Sequence, residues 1–295
     1  MPIHIVTDST ADIDPARALE LGITVVPLFV VFGNESLRDY IDISRRQFFE
    51  RLDKDPVLPT TSQPSAAMFR EAFLQAAERG EDVLCISISS VLSGTINAAR
   101  AAAENIAGIR IELFDSLNAA GGLQFFVEDA ARMAAEGATM DELLSYLGTM
   151  RERTPLYATL PDLSHVQRTG RIGRAAAVLG GLMKIVPILT LDAGAVVSRS
   201  QVRTFKRALE TMAELACAED RGAKKMRIRV IHTQAPELAE QMRERIIERC
   251  AGRDITVDVV EAGPVIAVHA GAGAIGVVVT DGYPGRSATA AALQK

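Results

Sequence analysis

Hydroxyl side chains are concentrated in the segment TTSQPS, residues 60–65, directly ahead of a predicted helix. Thr61 and Ser62 lie between prolines that stiffen the chain, and Ser93, in the later segment SSVLSGT, also precedes a predicted helix. Helix N-termini carry free N–H groups and partial positive charge, so such hydroxyls could help to hold a carboxylate or a phosphate. Capping explains each hydroxyl taken singly, whereas the group together predicts an anion site.

His269 is the next candidate, because small residues surround it in VHAGAGA, residues 268–274. We expect a loop there that leaves the imidazole room to donate a hydrogen bond to an anion or to act as an acid or base. A serine esterase or acyltransferase using Ser93 and His269, with Asp8 as the orienting carboxylate, is the alternative. The segment VLSGT lacks the GxSxG pattern of a nucleophile elbow, so the residues leave a binding protein and an enzyme both open.

Strands that alternate with helices must position these segments. Strands are predicted at 4–10, where the strand ends in a polar turn, and at 24–32, 82–88 and 110–116, and helices at 44–52, 65–80, 93–106, 117–136 and 139–153. This alternation predicts an α/β fold with a mostly parallel sheet. Ligands bind at the carboxyl ends of strands in such sheets. A fourth polar segment, TDST at residues 7–10, ends the first strand. Three of the four polar segments follow predicted strands, so we expect them to converge on one site.

The second half of the chain predicts a further α/β domain. A β-hairpin over residues 186–205, turning at 192–194, is followed by helix 204–220, strand 226–233, helix 235–250 and strand 254–261. A boundary near residue 155 divides the chain into an N-terminal α/β domain, 1–155, and a C-terminal α/β domain, 156–295.

Charge and composition exclude several classes of function. The formal net charge is -5, Trp is absent and aromatic residues make up 5%, which argues against a nucleic-acid-binding surface. No phosphate-binding loop or dinucleotide fingerprint is present. Scattered acidic residues such as Asp8, Asp39 and Asp42 form no metal motif, so neither a metal nor a cofactor is expected.

The cysteines and the apolar runs indicate a cytoplasmic protein. Cys85, Cys217 and Cys250 are far apart and form no zinc-site spacing, so three reduced thiols are expected. The apolar runs at 175–191 and 263–280 are short or interrupted for a bilayer core of about 30 Å, which predicts no integral membrane insertion. The N-terminus does not have the pattern of a signal peptide.

Several segments resemble the DegV family in order and spacing, over nearly the whole chain. They are IVTDSTAD, PTTSQPS, SSVLSGT, RTGRIG, VRT and VHAGAGAIG. The resemblance implies a two-domain α/β fold that binds a long-chain fatty acid in a buried tunnel between the domains. It also implies the role of a non-catalytic subunit, which presents the carboxylate to a separate fatty acid kinase. That partner forms an acyl phosphate with ATP for phospholipid synthesis.

The resemblance also implies roles for individual residues. Thr61, Ser62 and Ser93 match the carboxylate ligands, Gly94 the backbone beside them, and His269 a histidine near the head group. Arg171 matches an arginine at the site mouth that meets ligand or phosphate, and Arg203 matches one that meets the kinase.

This sequence departs from the family pattern at three positions. Tyr40 stands where the family commonly has glycine, and HAGAGA replaces the usual HTGPGA, so that Ala270 lacks a hydroxyl and Ala272 replaces a proline. The run 175–189 has small residues suited to a tunnel wall, although an ordinary core is equally consistent with its composition. An interaction or regulatory module with a vestigial pocket is a third possible function.

Overall fold

The computed structural model describes residues 1–55, 57–180, 185–219, 225–283 and 285, without the side chains of residues 177–180. The strands are β1 (Ile3–Asp8), β2 (Ile23–Val26), β3 (Phe29–Phe32), β4 (Glu35–Arg38), β5 (Thr60–Ser62), β6 (Asp82–Ser87), β7 (Ile111–Asp115), β8 (Leu156–Thr159), β9 (Val186–Asp192), β10 (Ala195–Val202), β11 (Met226–His232), β12 (Ile255–Glu261) and β13 (Ile275–Asp281). The helices are α1 (Pro15–Glu20), α2 (Arg45–Leu52), α3 (Ala66–Glu78), α4 (Thr95–Ala103), α5 (Ala120–Ala135), α6 (Met140–Glu152), α7 (Ser164–Arg168), α8 (Phe205–Ala218), α9 (Pro236–Arg249) and α10 (Pro264–Ala270), with short 3-10 helices at Ser9–Ala11 and Gly173–Gly180.

The first sheet is parallel and has the strand order β2-β1-β6-β7. Its strands bury both faces, because alternate residues of β6 pack against different helices. Leu84 and Ile86 face helices α5 and α6, whereas Val83 and Cys85 face helices α3 and α4. Apolar side chains on both faces are typical of parallel strands covered by helices. The predicted α/β fold with a mostly parallel sheet in the first half is therefore confirmed.

The predicted strand at 24–32 is wrong as a single element. It forms β2, which pairs with β1, and β3, which pairs with β4 and β5 in a separate antiparallel sheet. The two strands separate at Pro27, which has no N–H to donate to a neighbouring strand. The separation carries the chain to the small sheet in which Val30 of β3 pairs with Thr61 of β5.

The second sheet is mixed and has the strand order β10-β9-β8-β13-β11-β12. Its β9–β10 hairpin is confirmed, and Ala193 and Gly194 in the turn both have positive φ. Helices α8 and α9 cover the outer face with a cluster that includes Met212 and Met242. The inner face points towards helix α5 and the first sheet, and the division into domains at residue 155 stays a prediction.

Helix α5 joins the two sheets through buried ion pairs. Asp129 is fully buried and accepts two hydrogen bonds from Arg227 of β11, at 2.7 and 2.5 Å. Arg229 contacts Glu128 at 3.5 Å and Asp258 at 2.7 Å. Buried charges need such partners because an unpaired charge away from water is costly. The central core cluster likewise contains residues of both sheets, from Ile5 to Val278.

The expectation of three free thiols is wrong. A disulfide joins Cys217, near the end of α8, to Cys250, directly after α9, with their Cα atoms 5.6 Å apart. The two helices pack side by side on the second sheet, which brings together cysteines that are 33 residues apart in the chain. Cys85 is free and buried between the first sheet and helices α3 and α4.

No helix within the described ranges has both the length and the hydropathy to cross a membrane. Residues 181–184 of the predicted tunnel segment 175–189 lie outside the described residues, and so do the side chains of 177–180.

Candidate ligand-binding site

A cavity of about 190 Å³ lies between the loops at the carboxyl ends of β1 and β6 and the inner face of the second sheet. One water molecule needs roughly 10–15 Å³ measured in this way, so the cavity could hold a much larger ligand. Aliphatic side chains make most of its wall, among them Leu28, Ile88, Leu92, Leu160 and Val265. Such a wall favours an apolar ligand.

One register row of the second sheet forms part of the cavity wall. Leu189 of β9 pairs with Ala158 of β8, Ala158 pairs with Gly276 of β13, and Gly276 pairs with Ile231 of β11. All four residues line the cavity. The two smallest residues, Ala158 and Gly276, lie in the middle of the row, so the wall forms a trough between Leu189 and Ile231.

Thr61 and His269 meet at the cavity although 208 positions separate them in the chain. The Oγ1 atom of Thr61 lies 3.0 Å from Nε2 of His269, at hydrogen-bonding distance. Side chains alternate along β5, so Thr61 is half-buried and lines the cavity whereas Ser62 is exposed. The structure therefore brings Thr61, and not Ser62, into the cavity.

The expectation of a loop around His269 is wrong, because His269 lies in the last turn of helix α10. Pro264 stands at the start of this helix and Gly271 follows its end, a combination that marks helix boundaries. Burial, followed by the nearby charge of Arg171, lowers the pKa of His269 to about 4. The imidazole is therefore neutral near pH 7, and its buried Nδ1 atom has no hydrogen-bond partner among the described residues.

Ser93 and Gly94 lie at the N-terminus of α4, in the loop that follows β6. Ser93 lines the cavity, and its Oγ atom lies 2.8 Å from Oγ1 of Thr95. A Cβ atom at Gly94 would collide with the side-chain oxygen of Gln63. Glycine at this position leaves room for the side chain of Gln63, which reaches from the TTSQPS segment to the SSVLSGT segment.

The hydrolytic triad has no geometric support in the described structure. Ser93 pairs with Thr95, and His269 pairs with Thr61. Asp8 accepts hydrogen bonds from Thr10 and from the N–H of Ile88, so it fixes the loop between β6 and α4.

Arg171 lines both the cavity and an adjoining open groove formed by residues 90–94 and 169–171. Its guanidinium donates hydrogen bonds to the carbonyl oxygens of Leu92, at 3.3 Å, and Thr169, at 2.6 Å. Gly173 holds this loop against β10. Its φ is 53°, and a Cβ atom there would lie 2.7 Å from the carbonyl oxygen of Val196, so a side chain would separate the loop from the hairpin.

Two of the predicted residues lie apart from the cavity lining, and a third reaches only the groove. Arg203 is exposed between β10 and α8, and the described linings of the cavity and groove do not include it. Gly94 lines the groove, and Ser62 is exposed. Of the two alanines that depart from the family pattern, Ala270 lines the cavity and Ala272 is exposed.

A buried polar cluster behind helix α10 was not predicted from the sequence. Asp12 accepts a hydrogen bond of 2.8 Å from the N–H of Gly263, immediately before α10, and burial raises its pKa to about 7. The hydroxyl of Tyr40 lies 3.4 Å from Asp12 and accepts a hydrogen bond from Arg45. Tyr40 has φ of 61°, the region that glycine adopts easily, so its position between Arg45 and Asp12 is held by these contacts.

No group of three or more His, Cys, Asp or Glu side chains in the described part of the chain could hold a metal ion.

Comparison with known proteins identifies relatives along almost the full chain. The family model described as "Uncharacterised protein, DegV family" matches residues 2–281. A DegV domain-containing protein of Halalkalibacterium halodurans is 38% identical over 275 residues, which cover 93% of this chain and 96% of the relative. A DegV domain-containing protein of Deinococcus radiodurans is 36% identical over 283 residues, covering 94% and 98%.

Solved structures of similar proteins share the fold. A DegV family protein from Thermus thermophilus, described for its fatty acid binding, superposes with a TM-score of 0.88 at 32% identity, over 95% of this chain and all of that one. DegV from Bacillus subtilis, described as a fatty acid binding protein, superposes with a TM-score of 0.86 at 32% identity, over 96% and 100%.

Proposed function

Because this chain belongs to the DegV family, we propose that it binds a long-chain fatty acid, with the tail in the cavity and the carboxylate beside Thr61, Ser93, Arg171 and His269. The observation that carries this proposal is the form of the cavity, in which an aliphatic wall is combined with those four polar side chains. The fatty acid binding described for the relatives from Thermus thermophilus and Bacillus subtilis supports it.

The aliphatic wall would supply most of the binding energy. Burying fourteen methylenes contributes roughly 11 kcal/mol before ordering costs, at about 0.8 kcal/mol for each. The polar groups then orient the head group. Neutral hydroxyls and a neutral imidazole can donate hydrogen bonds to a carboxylate, and the guanidinium of Arg171 adds positive charge beside it.

The proposal extends to presentation of the carboxylate to a separate ATP-dependent kinase, which forms the acyl phosphate. In support, the groove formed by residues 90–94 and 169–171 opens beside Ser93 and is open to solvent. A phosphoryl group that approached through it would meet Arg171. Ser62 and Arg203 are exposed, and we assign Arg203 to the contact with the kinase. The chain itself would carry out no chemical step.

Mass spectrometry of the natively purified protein, followed by organic extraction, tests the ligand. We expect a stoichiometric long-chain fatty acid that is released on denaturation. Ser93→Ala and Thr61→Ala should lower the occupancy while the protein remains folded. A protein that is isolated empty and takes up no added fatty acid would overturn the proposal and favour an interaction module.

Trapping with hydroxylamine tests presentation to a kinase. The loaded protein with ATP and the kinase should yield an acyl hydroxamate, and the loaded protein with ATP alone should yield none. A serine-reactive phosphonate provides the matching test for the enzyme alternative. Covalent labelling of Ser93 would show that the protein acts as an esterase or acyltransferase.

A further inference from the structure

Gly276 stands in a buried strand, where glycine is unfavourable. It is the second residue of β13 and pairs with Ala158 on one side and Ile231 on the other. Glycine weakens a strand interior because it loses more conformational freedom on folding and provides no side chain to pack. A glycine at this position therefore requires a structural or functional reason.

The two usual structural reasons do not apply to Gly276. Its φ lies outside the left-handed region, so the backbone conformation does not require glycine. A Cβ atom there would have Cβ of Ile231 as its nearest described neighbour, at 3.5 Å, which is an ordinary contact. At Gly121, in contrast, a Cβ atom would lie 2.8 Å from Arg229, so close packing does require glycine there.

The space that a side chain at 276 would occupy belongs to the cavity. Gly276 lines the cavity at the centre of the trough, with Ala158 beside it and the larger Leu189 and Ile231 on either side. We propose that Gly276 is a specificity-determining residue for the bound acyl chain, which crosses the trough over this glycine. This inference rests on the proposed function and adds which tails the cavity accepts.

A side chain at 276 would compete with the methylenes of the ligand for the same space. The loss of affinity should therefore increase with side-chain size, from alanine to valine to leucine. It should be larger for long tails than for short ones, because a short tail can leave the trough empty. Valine is a favourable strand residue, so Gly276→Val adds side-chain volume to the cavity and should still fit the sheet.

Dissociation constants for saturated fatty acids of eight to eighteen carbons test the inference, measured by displacement of a fluorescent fatty acid. The matched control is Gly148→Val in helix α6, where a Cβ atom would have no described neighbour within 4 Å. We expect Gly276→Val to weaken binding of the longest acids by about tenfold or more. The shortest acids should be affected less, and Gly148→Val should keep the wild-type profile. Thermal unfolding of each variant verifies that it is folded.

Three results would separate the possible failures. If folded Gly276→Val keeps the wild-type profile, the trough does not hold the acyl chain and the inference is wrong. If the variant weakens all chain lengths by one common factor, Gly276 does not select among tails, which also contradicts it. If the wild-type protein and Gly148→Val bind no fatty acid at all, the proposed function itself is wrong and the inference is lost with it.

Discussion

Replacement of Thr61 by valine tests the head-group end of the cavity most directly. The substitution removes the hydroxyl that lies 3.0 Å from Nε2 of His269 and keeps the β-branched shape. Valine is also well suited to β5, so its pairing with Val30 should persist. The variant thus removes one hydrogen-bonding group from the cavity with little change in volume.

The expected loss of fatty acid affinity follows from the hydrogen-bond partner of the Thr61 hydroxyl in the ligand-free protein and in the complex. In the ligand-free protein Thr61 pairs with a neutral imidazole, and such a bond contributes about 1 kcal/mol to stability. In the complex the same hydroxyl would pair with an anionic carboxylate, a bond of about 1.5–3 kcal/mol. The difference, about 0.5–2 kcal/mol, predicts that fatty acid affinity falls by about twofold to thirtyfold, and that the free energy of unfolding falls by about 1 kcal/mol.

Titration calorimetry with one long-chain fatty acid measures this effect after the protein has been stripped of bound lipid. Thr60→Val is the matched control, because the adjacent threonine of β5 is exposed and points to the opposite face. It should keep wild-type affinity. Wild-type affinity in Thr61→Val as well would refute the assignment of Thr61 to the carboxylate. A similar fall in both would show that the substitutions act through β5 and not through the ligand.

Three further predictions concern stability. Burial lowers the pKa of His269 from 6.5 to about 4, so the unfolded chain binds a proton that the folded protein excludes. The free energy of unfolding, measured in urea, should be retained above pH 6.5 and should fall as the pH falls towards 4. The loss should reach about 3 kcal/mol relative to the His269→Gln variant. Reduction of the Cys217–Cys250 disulfide should cost about 2–4 kcal/mol, seen as a lower Tm with dithiothreitol. Asp129→Asn should cost about 3–5 kcal/mol in urea unfolding, because it leaves Arg227 buried without its charged partner.

Each of these predictions has its own control. The pH dependence is assigned to His269 only if His269→Gln removes it, because Asp12 titrates in the same range with the opposite sign. A Tm that is insensitive to dithiothreitol would contradict the disulfide. Asp141→Asn breaks an exposed bridge to Arg110 and should cost less than about 1 kcal/mol. If Asp129→Asn also costs less than about 1 kcal/mol, the buried pair with Arg227 does not stabilise the fold as expected.

Local sequence signals were sufficient for most of the parallel sheet and for the hairpin turn. Continuous apolar runs predict β6 and its neighbours, and the turn at 192–194 is confirmed with positive φ at Ala193 and Gly194. The helix at His269 was missed because the glycines after it suggest a loop. Pro264 and Gly271, at the two ends of α10, were the signals that could have predicted it.

Long-range contacts could not be predicted from local patterns. Cys217 and Cys250 meet only because α8 and α9 pack side by side, which no spacing in the chain reveals. The pairing of Thr61 with His269 depends in the same way on where the small sheet and α10 are placed. Arg227 and Arg229 alternate with apolar residues in β11, a pattern that predicts one polar face but not the acidic partners on α5.

The ion pair between Asp129 and Arg227 limits how the two halves of this protein can evolve. Exchange of the second half for one from an unrelated protein would leave the fully buried carboxylate of Asp129 without its arginine, and exchange of the first half would leave Arg227 without its carboxylate. Such a chimaera would lose several kcal/mol at that contact alone. An exchange of either half would therefore avoid this loss only if the incoming half supplied the missing charged partner.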